Sequence, residues 1–93
     1  MINNSETRKL IRNILWDSEK TVDEVMFLLM QQKETDEKRR FITKLLKSFS
    51  WYKLMTIFSA DELKKIVADE KIIRSIFPNS LREKYKYVRK ILH

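Results

Sequence analysis

Three acid pairs are the residues of this 93-residue chain best typed for acid–base work: Asp36-Glu37, Asp61-Glu62 and Asp69-Glu70. A working acid and base need a cleft that splits their two pKa values. Each pair here falls in the first turn of an expected helix, where capping and the helix dipole account for it. The remaining chemical inventory is short. The single histidine, His93, is the last residue, which excludes a multi-histidine zinc site and makes a poor general base on a fraying terminus. With no cysteine there is no thiolate nucleophile. With no glycine there is no phosphate-cradling loop, no dinucleotide fingerprint and no nucleophile elbow. A metal-dependent nuclease needs several acids and a lysine converging on one edge, and Glu70-Lys71 and Glu83-Lys84 alone do not provide that. The expectation is a chain that is not an enzyme and uses neither metal nor cofactor.

Cations carry the stronger pattern. Residues 80–93 read as one amphipathic helix. Leu81, Tyr85, Val88 and Leu92 form an apolar stripe, and Arg82, Lys86, Arg89 and His93 form a basic stripe one position along, with Lys90 beside it. A second basic stripe, Arg40, Lys44 and Lys47, repeats at helical spacing in the third helix, with Lys38 and Arg39 nearby. The net charge of +7 lies in two segments, with +3 over residues 34–58 and +4 over residues 79–93. Cations at this spacing suit an anionic partner, either an acidic protein surface or a phosphate backbone. Tyr87 lies off the apolar stripe and is expected to cover a neighbouring helix. The other aromatics fall on core stripes rather than exposed rows, which argues against single-strand stacking. No helix-turn-helix signature is legible. The narrow apolar stripe of the last helix is committed to the core, which argues against membrane binding.

The elements that position these residues announce themselves by their starts. Asn4 or Ser5 caps a first helix over 6–15, with Leu10, Ile11, Ile14 and Leu15 inward. Trp16 then plugs the core. Thr21 with Glu24, Ser59 with Glu62 and Ser80 with Glu83 are three capping-box patterns. Thr35 or Asp36 opens the third helix, with Phe41, Ile42, Leu45, Leu46 and Phe49 as its apolar side. Ser50 opens a fourth with a stripe of Trp51, Leu54, Met55 and Phe58. Asp69 opens a short sixth through Ile72, Ile73, Ile76 and Phe77, which Pro78 ends. The second helix, from Thr21 to about Gln32, is apolar nearly all round. Val22, Val25, Met26 and Leu29 make its stripe, and Phe27, Leu28 and Met30 spread over the rest. Such a helix is central in a fold, or those three residues face a homodimer or partner interface.

Without glycine and with one proline, tight β-hairpins are disfavoured. The fold class is therefore all-α: one compact domain, residues 1–93, of about six or seven short helices. The longest apolar run, Val25–Met30, is far short of a membrane span. The N-terminus lacks the apolar core of a secretory signal, so a cytoplasmic protein is expected.

Leu15-Trp16-Asp17, the pairs Phe41-Ile42, Leu45-Leu46 and Trp51-Tyr52, and the ending L-R-E-K-Y-K-Y-V-R-K-I-L at 81–92 together resemble a group of small bacterial proteins with no established activity. The resemblance covers almost the whole chain. It implies a prokaryotic cytoplasmic protein, antitoxin-like and encoded beside a toxin-type nucleotidyltransferase, and it transfers no active site. The function expected is a non-enzymatic helical interaction module, a regulatory partner of another bacterial protein. Nucleic-acid binding through the two basic stripes is the alternative.

Overall fold

A short polar side chain stands in front of each of the first six helices. The computed structural model describes residues 4–15 and 19–92. In it α1 (Ser5–Asn13) is capped by Asn4, α2 (Val22–Met30) by Thr21, and α3 (Asp36–Ser48) by Thr35. Ser50 caps α4 (Trp51–Ile57), Ser59 caps α5 (Ala60–Ala68) and Asp69 caps α6 (Glu70–Arg74). Each cap accepts a first-turn backbone N–H that has no partner inside its helix. The reciprocal capping box is complete at Ser59, whose N–H donates to Glu62 Oε1 at 2.9 Å while Glu62 N–H donates to Ser59 Oγ at 3.2 Å. At Thr21 the hydroxyl half is present.

The last helix, α7 (Asn79–Leu92), starts differently from the sequence expectation. Pro78 carbonyl accepts the N–H groups of Leu81 and Arg82 at 3.0 and 3.2 Å, so Ser80 lies within the helix rather than capping it. Proline has no N–H to satisfy and its fixed φ suits a helix entry, so the helix begins one residue earlier. Among the described residues all regular structure is helical, and the seven helices match the expected all-α bundle.

One apolar cluster draws on every helix, through Ile11, Val25, Leu45, Leu54, Val67, Ile73 and Tyr85 among others. α1 packs on α2 and α4. α3 packs on α2, α4 and α6, and α5 packs on α4, α6 and α7. α7 lies across α5 and α6, as expected of a closing helix. The expectation that α2 is central is corrected. Its neighbours are α1 and α3, it buries Val25, Met26, Leu28 and Leu29, and Phe27 and Met30 face solvent. Two flanking helices cover only about half of a nine-residue helix, so apolar residues on the far side stay uncovered. Met55 and Phe77, expected inside, are exposed as well, while Ile57 is fully buried. In α4 the inward side is set by Leu54, Ile57 and Phe58 at i, i+3 and i+4, which turns Met55 outward. Trp16 and His93 lie outside the described residues.

Helix ends expose the consequence of having no glycine. The usual left-handed C-terminal residue is missing, and no described residue has positive φ. α2, α3 and α4 instead run straight into extended residues, Gln31, Phe49 and Phe58. Carbonyls left over at or just past these ends are met by side chains from other parts of the chain. Thr7 Oγ1 donates to Thr56 carbonyl at 3.1 Å, Lys38 Nζ to Gln31 carbonyl at 2.5 Å, and Tyr85 Oη to Leu46 carbonyl at 2.9 Å. Among the described residues the buried polar side chains are Thr7, Lys38 and Thr43, and Lys38 is therefore not part of the exposed basic surface.

Candidate interaction surface

The two basic stripes sit on either side of α6. Arg40 lies beside Lys71 of α6 and Ser75 at its end, in a shallow depression that Asp36 and Arg39 complete. On the other side, Arg89 of α7 pairs with Glu70 of α6. The N-terminus of α6 therefore places two carboxylates between the stripes: Asp69 takes Arg39 Nε at 3.1 Å, and Glu70 takes Arg89. α6 adds two exposed cations of its own, Lys71 and Arg74, the second of which also pairs with Glu70.

Much of the α7 stripe is already engaged. Arg82 Nε donates to Ile76 carbonyl at 3.2 Å, its Nη1 donates to Asn79 Oδ1 at 3.4 Å, and its guanidinium stacks over the Phe77 ring 5.2 Å from the centroid. Lys86 pairs with Glu83 at 3.4 Å. Arg82, Lys86 and Arg89 are each half-buried, while Lys90 stands exposed with no ion pair among the described residues. In α3, Arg40 and Lys47 are exposed and Lys44 is half-buried. Of the three α2 residues marked for an interface, Phe27 and Met30 are exposed and Leu28 is buried.

The outer face of α7 is what the sequence reading missed. Tyr87 is not covered by a neighbouring helix; it is 65% exposed, and so is Ile91 one turn later. Lys84 lies one turn before Tyr87 and Lys90 one turn after, both exposed and without an ion pair among the described residues. The signal was present in the spacing. Lys84, Tyr87 and Ile91 stand at i, i+3 and i+7, and the inward stripe through Leu81, Tyr85, Val88 and Leu92 leaves them no route to the core. Tyr85, 2% exposed and bonded to Leu46, fixes which side of α7 faces out.

A deeper feature lies between the α2–α3 hinge and α5. This cleft of about 290 Å³ has a floor that includes Leu29, Ile42, Phe58 and Ile66, with Glu34, Lys38, Glu62, Lys65 and Asp69 around it. All but Lys65 of its charges are tied to one another, to another side chain or to the backbone. Lys38 Nζ lies 3.5 Å from Glu34, Glu62 closes the α5 capping box, and Asp69 holds Arg39 and caps α6. Of the other paired acids, Asp36 faces Arg39, and Glu37 is hydrogen-bonded to Lys20, which holds its carboxyl below the usual glutamate range, while Asp61 is exposed with no ion pair among the described residues. Among the described residues no three acidic or histidine side chains converge as metal ligands, and no helix is long and apolar enough to cross a membrane.

No protein-family model, curated protein or solved structure matches the chain. The arrangement of side chains is therefore the whole basis for a functional reading. It offers exposed apolar residues and cations on the outer face of α7.

Proposed function

We propose that this chain is a non-enzymatic interaction module that docks on a protein partner through the solvent-facing side of α7, acting as a regulatory, antitoxin-like subunit. One observation carries the reading: Tyr87 and Ile91 are exposed one turn apart on a helix whose opposite face is anchored, with Lys84 and Lys90 flanking them. Tyrosine is a frequent anchor in protein interfaces because it brings a large rigid surface and one polar atom. Engagement of Arg82, Lys86 and Arg89 within the chain weighs against their use on a phosphate backbone.

The experiment places a photo-crosslinking residue at position 87 in the cell that makes the protein, with position 52 as control, since Tyr52 is exposed on α4. A discrete protein adduct from position 87 and none from position 52 is the expected result. Adducts of equal yield from both positions, or adducts to nucleic acid alone, overturn it.

Nucleic-acid binding is the second reading, favoured by the depression that brings Arg40 of α3 beside Lys71 of α6. Its signature is a log–log salt slope near −0.9 per duplex phosphate contacted. That slope flattens when Arg40 and Lys71 are both changed to glutamate.

A further inference from the structure

The exposed face of α7 says what kind of surface it fits. Lys84 and Lys90 are about 9 Å apart along the helix axis, at about 1.5 Å per residue. Tyr87 lies midway, with Ile91 one turn beyond it. Apolar anchors on a convex helix are recognised by a concave apolar groove, and cations beside the anchors are recognised by carboxylates on its rim. Resting on the reading that α7 is the docking helix, we propose that the partner presents an apolar groove with carboxylates about 9 Å apart along its edges, which takes Tyr87 and Ile91 inside and Lys84 and Lys90 at its lips.

Charge decides among the occupants. A second copy brings another net charge of +7, and a two-fold pairing of this face centred on Tyr87 sets lysine against lysine. Nor does the chain's own cleft serve as the groove for a neighbouring copy. Its carboxylates Glu34, Glu62 and Asp69 are already engaged, and two lysines share its lining. An acidic protein supplies what the face lacks. α7 is also pre-organised for it, because the Tyr85–Leu46 bond holds the helix in one register and little order must be gained on docking. Two anchors make a small contact, so exchange with the partner is fast unless further elements join.

The test uses the isotope-labelled full chain and two probes of equal length: a peptide of leucine pairs flanked by glutamates, and polyglutamate. Amide shifts at Lys84, Tyr87, Lys90 and Ile91 with the first probe, at an affinity about ten-fold or more above that of the second, are expected. The Tyr87→Ser/Ile91→Ser variant removes that advantage and leaves polyglutamate binding unchanged. Both substitutions are at exposed positions, and an unchanged amide spectrum elsewhere shows that the variant is folded. Equal affinity for the two probes overturns the proposal, as do shifts at these residues on simple dilution, which report a second copy. Should the in-cell crosslink at position 87 form while these probes fail to discriminate, the docking helix stands and its acidic-groove partner does not.

Discussion

The hydroxyl of Tyr85 donates to the main-chain carbonyl of Leu46 at 2.9 Å, and that one bond ties the last helix to the end of the third. Leu46 lies in the last turn of α3, where carbonyls have no partner inside the helix. The ring fills the core while its oxygen closes the open helix end. Removing the hydroxyl leaves a buried acceptor unsatisfied, so Tyr85→Phe is expected to cost about 1–3 kcal/mol. Tyr87→Phe, at an exposed position, is expected to stay within about 0.5 kcal/mol. Denaturant unfolding of the two variants makes the comparison, and equal midpoints remove the staple from the account of α7.

The same residue sets the alkaline limit. Burial pushes the Tyr85 phenol above its ordinary value of 10.0, because the phenolate is the form that loses solvation. A group whose folded pKa is raised gives stability that is complete below the unfolded value and is lost as pH rises through the folded one. Unfolding free energy is therefore expected to fall above pH 10, with the loss absent in Tyr85→Phe. Stability measured across the alkaline range against tyrosinate absorbance checks this. An unchanged pH profile in the variant assigns the loss to other groups.

Starts of helices were legible from the sequence because a cap is local. Asn4, Thr21, Thr35, Ser50, Ser59 and Asp69 each act within three residues of themselves. Ends were not, because Thr7, Lys38 and Tyr85 reach carbonyls at or just past the ends of other helices, up to 49 residues away in the case of Thr7. The outward face of α7 followed from its inward one. Whether the basic stripes merged depended on α6, whose Asp69 and Glu70 sit between helices that the sequence cannot place. The centrality of α2 failed for a related reason. Hydrophobicity all round says that a helix has apolar faces but does not say how many neighbours arrive to cover them.

Thr7 gives the cleanest test of side-chain capping at helix ends. It is fully buried, and its hydroxyl meets Thr56 carbonyl in the last turn of α4. Thr7→Val keeps the shape and deletes the donor, with an expected cost of about 1–3 kcal/mol. Thr7→Ser keeps the donor and drops a methyl, so about 1 kcal/mol is expected from the lost burial. A serine variant as unstable as the valine variant transfers the effect from the hydrogen bond to packing.

Acid stability rests in part on an exposed pair. Glu37 is lowered by its hydrogen bond to Lys20 and by that lysine's charge, and Lys20 is raised by the same two causes. A carboxyl with a depressed folded pKa gives stability present above its unfolded value of 4.5 and lost as pH falls through the folded one. Glu37→Gln is therefore expected to flatten the acid limb of the stability profile and, because Lys20 loses the cause of its raised pKa, the Lys20 part of the alkaline limb as well. Because the pair is exposed, the difference between variant and parent shrinks in high salt. A difference that persists unscreened points to a structural effect of the substitution.

Asp69 joins two helices and an ion pair through one side chain. It ends α5 and begins α6 without an intervening loop, and its Oδ1 accepts Lys71 N–H at 3.0 Å while Oδ2 accepts Arg39 Nε at 3.1 Å. The cap alone is typically worth ~1 kcal/mol, and a hydrogen bond to a charged group ~1.5–3 kcal/mol. Both partners are about four-fifths buried, so the pair keeps more of its strength than a surface bridge. Asp69→Ala loses cap and pair together, with an expected cost of about 2.5–4 kcal/mol. Asp69→Asn keeps a capping oxygen and gives up the charge, so it is expected to fall between parent and alanine variant. Unfolding of both variants, each also combined with Arg39→Met, separates the terms. If the asparagine variant matches the parent, the ion pair contributes nothing measurable. If it matches alanine, the cap contributes nothing. An intermediate value shows that the short α6 is held both by the cap and by the ion pair of one side chain.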